Sequence, residues 1–335
     1  MRAGILHARQ CCPGAALAAV IALAATFVST LHGGPQLLYA LFFGVAFHYL
    51  SHEPATKPGI EFCSRHVLRF GVGLLGARIT AEQIASLGWA TAALVIAGVV
   101  TTIFGGLMLA RRLGMTNAQG VLSGGAVAIC GASAALAISA VLPKEKDGER
   151  FTLLVVVTVT ALSTVAMVVY PLVARLLELD PRWAGLFLGG TIHDVAQVVG
   201  AGYTLGPEAG DFATIVKLFR VSMLAVVVVA VAAAFRQARE AAPLGHPVAR
   251  QPLVPWFLWM FVGLVVVNSL GALDVPTQQA LSWLSRACLV VAIAALGMKT
   301  SFVQLARAGW RPFGLILAET LWLALLVLVG ILLMR

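Results

Sequence analysis

Leu75-Gly76-Ala77-Arg78-Ile79-Thr80-Ala81-Glu82-Gln83-Ile84-Ala85-Ser86-Leu87-Gly88-Trp89 returns without a gap as Leu296 through Trp310, at an offset of 221 residues. Leu, Gly, Gln, Ala, Gly and Trp recur in register, Arg78 answers to Lys299, Thr80 to Ser301 and Ile84 to Leu305. In both copies a short polar turn leads into a long apolar stretch. Working outward, apolar segments without long polar gaps cover roughly 14–31, 37–50, 60–79, 87–110, 117–142, 151–177, 183–202, 211–235, 253–272, 277–298 and 312–334. The segments entering the two copies are seven apart, an odd number, so they are predicted to cross a membrane in opposite directions and the repeat to be inverted. Inverted repeats are a structural habit of secondary transporters, whose sites lie near the midplane and are built from broken helices.

Composition agrees with membrane residence. Of 335 residues, 60% are hydrophobic and 11% charged, against about 25% charged in a soluble domain, and the mean hydropathy is +0.94. With spans of about 20 residues the chain is predicted to be one all-α, polytopic membrane helix bundle over residues 1–335, with about ten to eleven transmembrane helices, an inverted repeat and discontinuous helices. Residues 1–31 resemble a secretory signal in carrying Arg2 and Arg9 before an apolar run, but the many later spans favour an uncleaved first helix. The net charge of +9 follows from basic loops: Arg111-Arg112, Arg175 with Arg182, the stretch holding Arg236, Arg239 and Arg250, and Lys299 with Arg307 and Arg311 fall on one side, which is predicted to be cytoplasmic together with the N-terminus. No basic tract with interleaved aromatics suggests nucleic acid. Cys11, Cys12, Cys63, Cys130 and Cys288 have neither CxxC spacing nor a histidine cluster and read as free thiols. No metal site or cofactor is expected.

Three constellations could carry chemistry. Ser123-Gly124-Gly125 through Gly131-Ala132-Ser133 places three glycines and two serines inside an apolar segment that ends at Pro143. Unwound backbone at membrane depth is tolerated only where protein or a cavity satisfies it, and a half-helix N-terminus there offers N–H groups to an anion; the same small residues also allow close helix packing. Gly189-Gly190-Thr191-Ile192-His193-Asp194-Val195-Ala196-Gln197 puts an ionisable pair where an apolar span should be, and if the segment is helical His193, Asp194 and Gln197 share one side of it. They suit a proton relay, polar contact with a substrate or a satisfied structural pair. Lys217 and Arg220, one helical turn apart without an adjacent acid, invite an anion, unless they snorkel outward or pair with Asp211. Arg286, Arg65, Arg69 and Glu319 are further charges in or near spans, for which structural pairing is the expectation. HExxH, GxSxG, P-loop and aspartate-rich prenyl-diphosphate motifs are missing.

Taken in order, Gly71 to Ile79, Ser123 to Ala134, Thr191 to Val198, Val216 to Val221 and Leu296 to Thr300 resemble the sulfate exporter family, the bacterial inner-membrane proteins of the YeiH type. More distantly, the pattern is similar to the bile acid and sodium symporter superfamily, where two crossing broken helices form the ion and substrate site. The resemblance implies secondary transport of a small anion, sulfate or a related oxyanion, by alternating access in the cell inner membrane. From the three constellations, substrate binding is predicted to fall to Lys217, Arg220, Gly124, Gly125, Gly131 and Ser133, and coupling or polar contact to His193, Asp194 and Gln197. Coupling to H+ or Na+ is open, and the partners are the anion, the lipid bilayer and, in an oligomer, a second copy as a homodimer. An intramembrane enzyme using His193 and Asp194 as acid and base, or an anion channel, are the alternatives. One departure from the superfamily is that 117–142 and 183–202 lie two spans apart and so, by parity, run the same way, which requires a re-entrant segment or a permuted second half.

Overall fold

The structure is a computed structural model that describes residues 2–32, 35–85, 87–143, 148–237, 256–300 and 309–335. The centre of the second repeat copy, residues 301–308, and the basic stretch with Arg239 and Arg250 lie outside them. The described chain is helical: α1 (Arg2–His32), α2 (Gln36–Ala46), α3 (Lys57–Phe62), α4 (Leu68–Leu74), α5 (Ala81–Ala85), α6 (Gly88–Arg112), α7 (Asn117–Ala128), α8 (Ala132–Ser139), α9 (Gly148–Leu176), α10 (Pro181–Thr191), α11 (Val195–Leu205), α12 (Pro207–Ala234), α13 (Trp256–Ser269), α14 (Val275–Lys299) and α15 (Trp310–Met334). A π-turn over Cys63–Val67 joins α3 to α4 and a 3-10 turn over Leu75–Arg78 extends α4, so residues 57–78 form one irregular rod. Among the described residues six helices, starting at Gln10 within α1 and including α6, α9, α12, α14 and α15, are long and apolar enough to cross a membrane. Their outward faces carry Phe27, Phe104, Leu153, Val226 and Leu332 in exposed positions. Lipid accepts such faces where water would not, and the helices satisfy their own backbone. This is a multi-pass membrane helix bundle.

The chain divides into two units. The first contains residues 1–87, 199–211 and 256–300. Within it the 57–78 rod lies antiparallel to α14: Lys299 Nζ donates to Ser64 Oγ at 3.3 Å, Ser285 Oγ to the Gly71 carbonyl at 2.6 Å and Gln278 Nε2 to the Ala77 carbonyl at 3.2 Å. α2 crosses α14 where Gly44 and Gly297 lie against each other's backbones; a Cβ on Gly44 would strike the Ala294 carbonyl, and one on Gly297 the Leu41 carbonyl. Small residues at such a crossing let dispersion act over the whole contact where no hydrophobic driving force exists.

The second unit contains residues 88–198, 212–255 and 301–335. α6 begins at Gly88 with φ +72° and α15 follows Gly309 with φ +81°, so the two glycines of the repeat both take a positive φ at the same place. α15 runs antiparallel to α6, since Gly98 meets Leu323 and Gly330 meets Leu94. The helices that lead into the two repeat copies, and those that lead out of them, are therefore antiparallel pairs, each within its own unit. After the left-handed turn at Gly114, a capping box between Thr116 and Gln119 starts α7, which returns along α6 on Gly106, Gly120 and Gly124.

The apolar stretch 117–142, expected as one broken span, instead turns back on itself. Gly131, at φ +63° and ψ −123°, reverses the chain, and Ile138 of α8 comes back against Gly125 of α7. Twelve and eight residues cover about 18 and 12 Å at 1.5 Å per residue, short of the ~30 Å hydrocarbon core. A reversal of this kind corresponds to the first of the two alternatives that the parity of the spans left open, a re-entrant segment or a permuted second half. Gly44→Val should lower unfolding free energy by about 1–3 kcal/mol through overpacking; a melting curve in detergent superimposable on the parent's would show that the α2–α14 contact is loose.

Candidate functional site

Two helices of the second unit stop inside the protein. α7 ends at Ala128, followed by Ile129 at φ −114° and ψ −84°, and α10 ends at Thr191, followed by Ile192 in an extended conformation. The last carbonyls of a helix have no partners within it, and in a membrane water does not supply them. Here they converge on α12. Arg220 uses all five of its N–H donors on them: Nε and Nη2 to Ala128 at 2.9 and 2.7 Å, Nη2 to Val127 at 3.0 Å, and Nη1 to Gly189 and Ile192 at 3.0 and 3.2 Å. Lys217 Nζ donates to Ile129 at 2.6 Å and Ile192 at 3.0 Å, which leaves one of its three N–H groups beyond these two bonds. Both side chains are essentially sealed, at 0% and 1% exposure. Neither snorkels, and Asp211 is engaged elsewhere.

The breaks meet. A Cβ on Gly131 would lie 3.4 Å from the Cβ of His193. His193 Nε2 stands 3.1 Å from Thr320 Oγ1, whose own hydrogen goes to the Ile316 carbonyl, so the histidine is the donor in that pair. Its Nδ1 is buried without a hydrogen-bond partner among the described residues. Asp194 opens α11: its carboxylate accepts from Ala196 N–H at 2.8 Å, while its own N–H donates to Ser163 Oγ at 3.1 Å. Gln197 Nε2 donates to Thr164 Oγ1 at 2.8 Å, and its Oε1 is buried and unpartnered among the described residues.

Of the residues singled out from sequence, Gly131, His193, Asp194, Gln197, Lys217 and Arg220 come together here. Ser133 sits exposed in the first turn of α8. Gly124 and Gly125 lie inside α7, where a Cβ on the first would meet the α6 backbone at Ile103 and one on the second the Ile138 side chain. Ser163, Thr164 and Thr320 complete the polar shell, and no pattern in the sequence distinguishes them from other hydroxyls in apolar helices. The charge balance follows from the helix ends. Two C-termini of about −0.5 each face two N-termini, of α8 and α11, of about +0.5 each, so they cancel and leave two cations against Asp194. The site has room in its electrostatics for about one further negative charge.

The first unit holds a separate polar cluster. Arg78 pairs with Asp211 at 3.3 Å and lies over the Tyr203 ring at 5.6 Å, and the Tyr203 hydroxyl donates to Asp211. A cavity of about 240 Å³ beside it is lined by Arg78, Tyr203, Thr204, Ser282 and Arg286, among others. No disulfide joins the cysteines.

Comparison with known proteins extends over this whole arrangement. The model of a family described as Conserved hypothetical protein 698 matches residues 13–316. The UPF0324 membrane protein CT0845 of Chlorobaculum tepidum is 49% identical over 94% of this chain and 88% of its own length. The UPF0324 membrane protein TauZ of Paracoccus denitrificans is 48% identical over 95% and 94%, and RB0971 of Rhizobium meliloti 46% identical over 95% and 92%. No solved structure matches.

Removing Arg220 orphans Val127, Ala128 and Gly189, whereas removing Lys217 orphans Ile129 alone, because each cation still serves Ile192. At roughly 1–3 kcal/mol per orphaned buried carbonyl, Arg220→Met should cost about three times the stability that Lys217→Met does. Melting temperatures of the two purified variants test this ratio, and equal losses would contradict the bonding pattern.

Proposed function

This chain belongs to the Conserved hypothetical protein 698 family, and from that premise we propose that it is a secondary transporter, an exporter of a small oxyanion such as sulfate, working by alternating access in the cell inner membrane with its N-terminus on the cytoplasmic side. The observation that carries this reading is the buried pair Lys217 and Arg220 at the meeting point of two helix breaks. A cation sealed in a membrane protein is costly and is kept for a purpose. Arg220, with every donor committed, acts as the fixed source of positive potential. Lys217 has a donor to offer, and the first turn of α8 at Ser133 adds a backbone N–H, while the Gly131 N–H is held by the Ala126 carbonyl and Gly131 serves by turning the chain. Gly124 and Gly125 serve by letting α6 and α8 approach α7, which positions that N-terminus. His193, Asp194 and Gln197 provide polar contact and coupling on the other side.

The antiparallel pairing of the rod 57–78 with α14, and of α6 with α15, supports an inverted repeat around residues 60–110 and 281–332. In transporters of that construction a site at the crossing of two breaks is exposed alternately to either side. An ion channel would leave a continuous aqueous path, and an intramembrane enzyme would need a reactive group open to its substrate. Neither follows from a pair of cations committed to backbone carbonyls.

Sulfate at a hundred times its Kd should stabilise the native protein by roughly 2.7 kcal/mol, read as a rise in melting temperature that Lys217→Gln abolishes while still folding. In proteoliposomes, labelled sulfate should exchange with saturation. Flux that rises linearly with concentration would mark a channel, and no flux together with no thermal shift across a panel of oxyanions would sink the reading.

A further inference from the structure

Glu319 is the ionisable group that the site above does not use. It sits in the middle of α15 at 3% exposure, one residue before Thr320, the partner of His193. Its Oε1 lies 2.7 Å from Ser123 Oγ of α7, and its Oε2 is buried with no hydrogen-bond partner among the described residues. Gly106 of α6 has no room for a Cβ beside it, so the carboxyl is enclosed by backbone.

No ion pair to it occurs among the described residues. α6, α7, α9 and α10 pack against α15, and their titratable groups are accounted for. α7 carries none. Arg111 and Arg112 end α6 beyond Gly106, and Arg111 donates to Asn117. Glu149, Arg150 and Arg175 lie in the terminal turns of α9, and Tyr170 packs on Phe187. Arg182 of α10 lies over the Phe212 ring, Arg311 over Trp310 at the start of α15, and Arg335 donates to the Glu178 carbonyl at its end. A carboxylate in this position would be a buried charge without a counter-ion, which costs several kcal/mol. The neutral acid fits instead. Ser123 Oγ is also 3.2 Å from the Gly120 carbonyl, and a hydroxyl has a single hydrogen. With Glu319 protonated at Oε1, its O–H donates to Ser123 and Ser123 donates to Gly120, so both hydrogens of the relay have acceptors, and the bare Oε2 is a neutral carbonyl oxygen rather than half of a charge. When the proton leaves, Ser123 must turn its hydrogen to Oε1, the Gly120 carbonyl loses it and Oε2 stays bare.

We propose that Glu319 is the proton-binding site of the transport cycle, exchanging one proton per turnover and reporting its state through Ser123 to α7 and through α15 to His193. The proposal rests on the transporter reading for the word cycle and on the geometry alone for the proton. The conformation described here is the proton-loaded one, and it is emptied when Glu319 reaches water. A proton with different affinity for two conformations shifts their populations, which is what coupling to a pH gradient requires.

Infrared spectra of the purified protein in lipid, without sodium, decide the first part. Wild type minus Glu319→Gln should show the carbonyl stretch of a protonated carboxyl at neutral pH, shifted by Ser123→Ala and lost only in alkaline buffer; Glu319→Asp should move the band rather than remove it. Carboxylate bands at neutral pH, or a protonated band that sodium ions abolish, would overturn it. In proteoliposomes holding sulfate, a pH gradient should drive accumulation in wild type, and in Glu319→Gln accumulation should fall by a factor within about 5–150, the usual range of coupling, while sulfate exchange survives. Undiminished accumulation in the variant would overturn the coupling role. If wild type moves no sulfate in either mode, the transporter reading fails by itself and the infrared result still settles whether Glu319 holds a proton.

Discussion

Backbone carbonyls that a helix leaves unpaired must find donors, and in a bilayer the protein itself has to supply them. That requirement organises the second unit. Two helices stop in its interior, and Lys217 and Arg220 hold their last carbonyls against α12. The result reverses the usual view of a buried cation pair. The charges are not exposed for capture; they are held by helix C-terminal carbonyls, whose dipoles are each worth about half a charge, with Asp194 as the nearby carboxylate. With the opposing helix ends cancelling and one carboxylate against two cations, the junction stays electropositive, as the proposed anion site requires.

The positions of the apolar segments, the repeat and the cation pair were legible in the sequence. Hydropathy registers length, and the long helices α6, α9, α12, α14 and α15 were therefore visible as blocks. The repeat was visible because a positive φ at Gly88 and Gly309 demands the same residue twice. The turn at Gly131 was not legible as a reversal, since an average over 117–142 is the same for a crossing and for a hairpin. The partners of Lys217 and Arg220 were not legible either, because they are main-chain carbonyls and every residue has one. Gly124 and Gly125 illustrate a related ambiguity: a glycine chosen for close packing and a glycine chosen to unwind a helix are the same letter.

Glu319 shows where a reading by residue type reaches its limit. An acid in an apolar span suggests a basic partner, and Arg286, Arg65 and Arg69 were available in composition. Geometry gives it a serine and an enclosure of glycine backbone instead. The distinction matters physically, since an ion pair fixes charge while an enclosed acid beside a rotatable hydroxyl can change its charge without a change of partner.

The hairpin of α7 and α8 also has a consequence for how the chain is made. Its arms are too short to settle across a bilayer alone, and the carbonyls at its tip wait for donors from Lys217 and Arg220, which leave the ribosome some ninety residues later. α6, along which α7 returns, receives its second antiparallel neighbour from α15, which follows α12 in the chain. The nascent protein must therefore shelter this hairpin in the translocation machinery, or against other helices, until α12 and α15 have been made. The junction is thus sealed only once α15 has arrived, and a lesion in α15 should show first as failure of that closure.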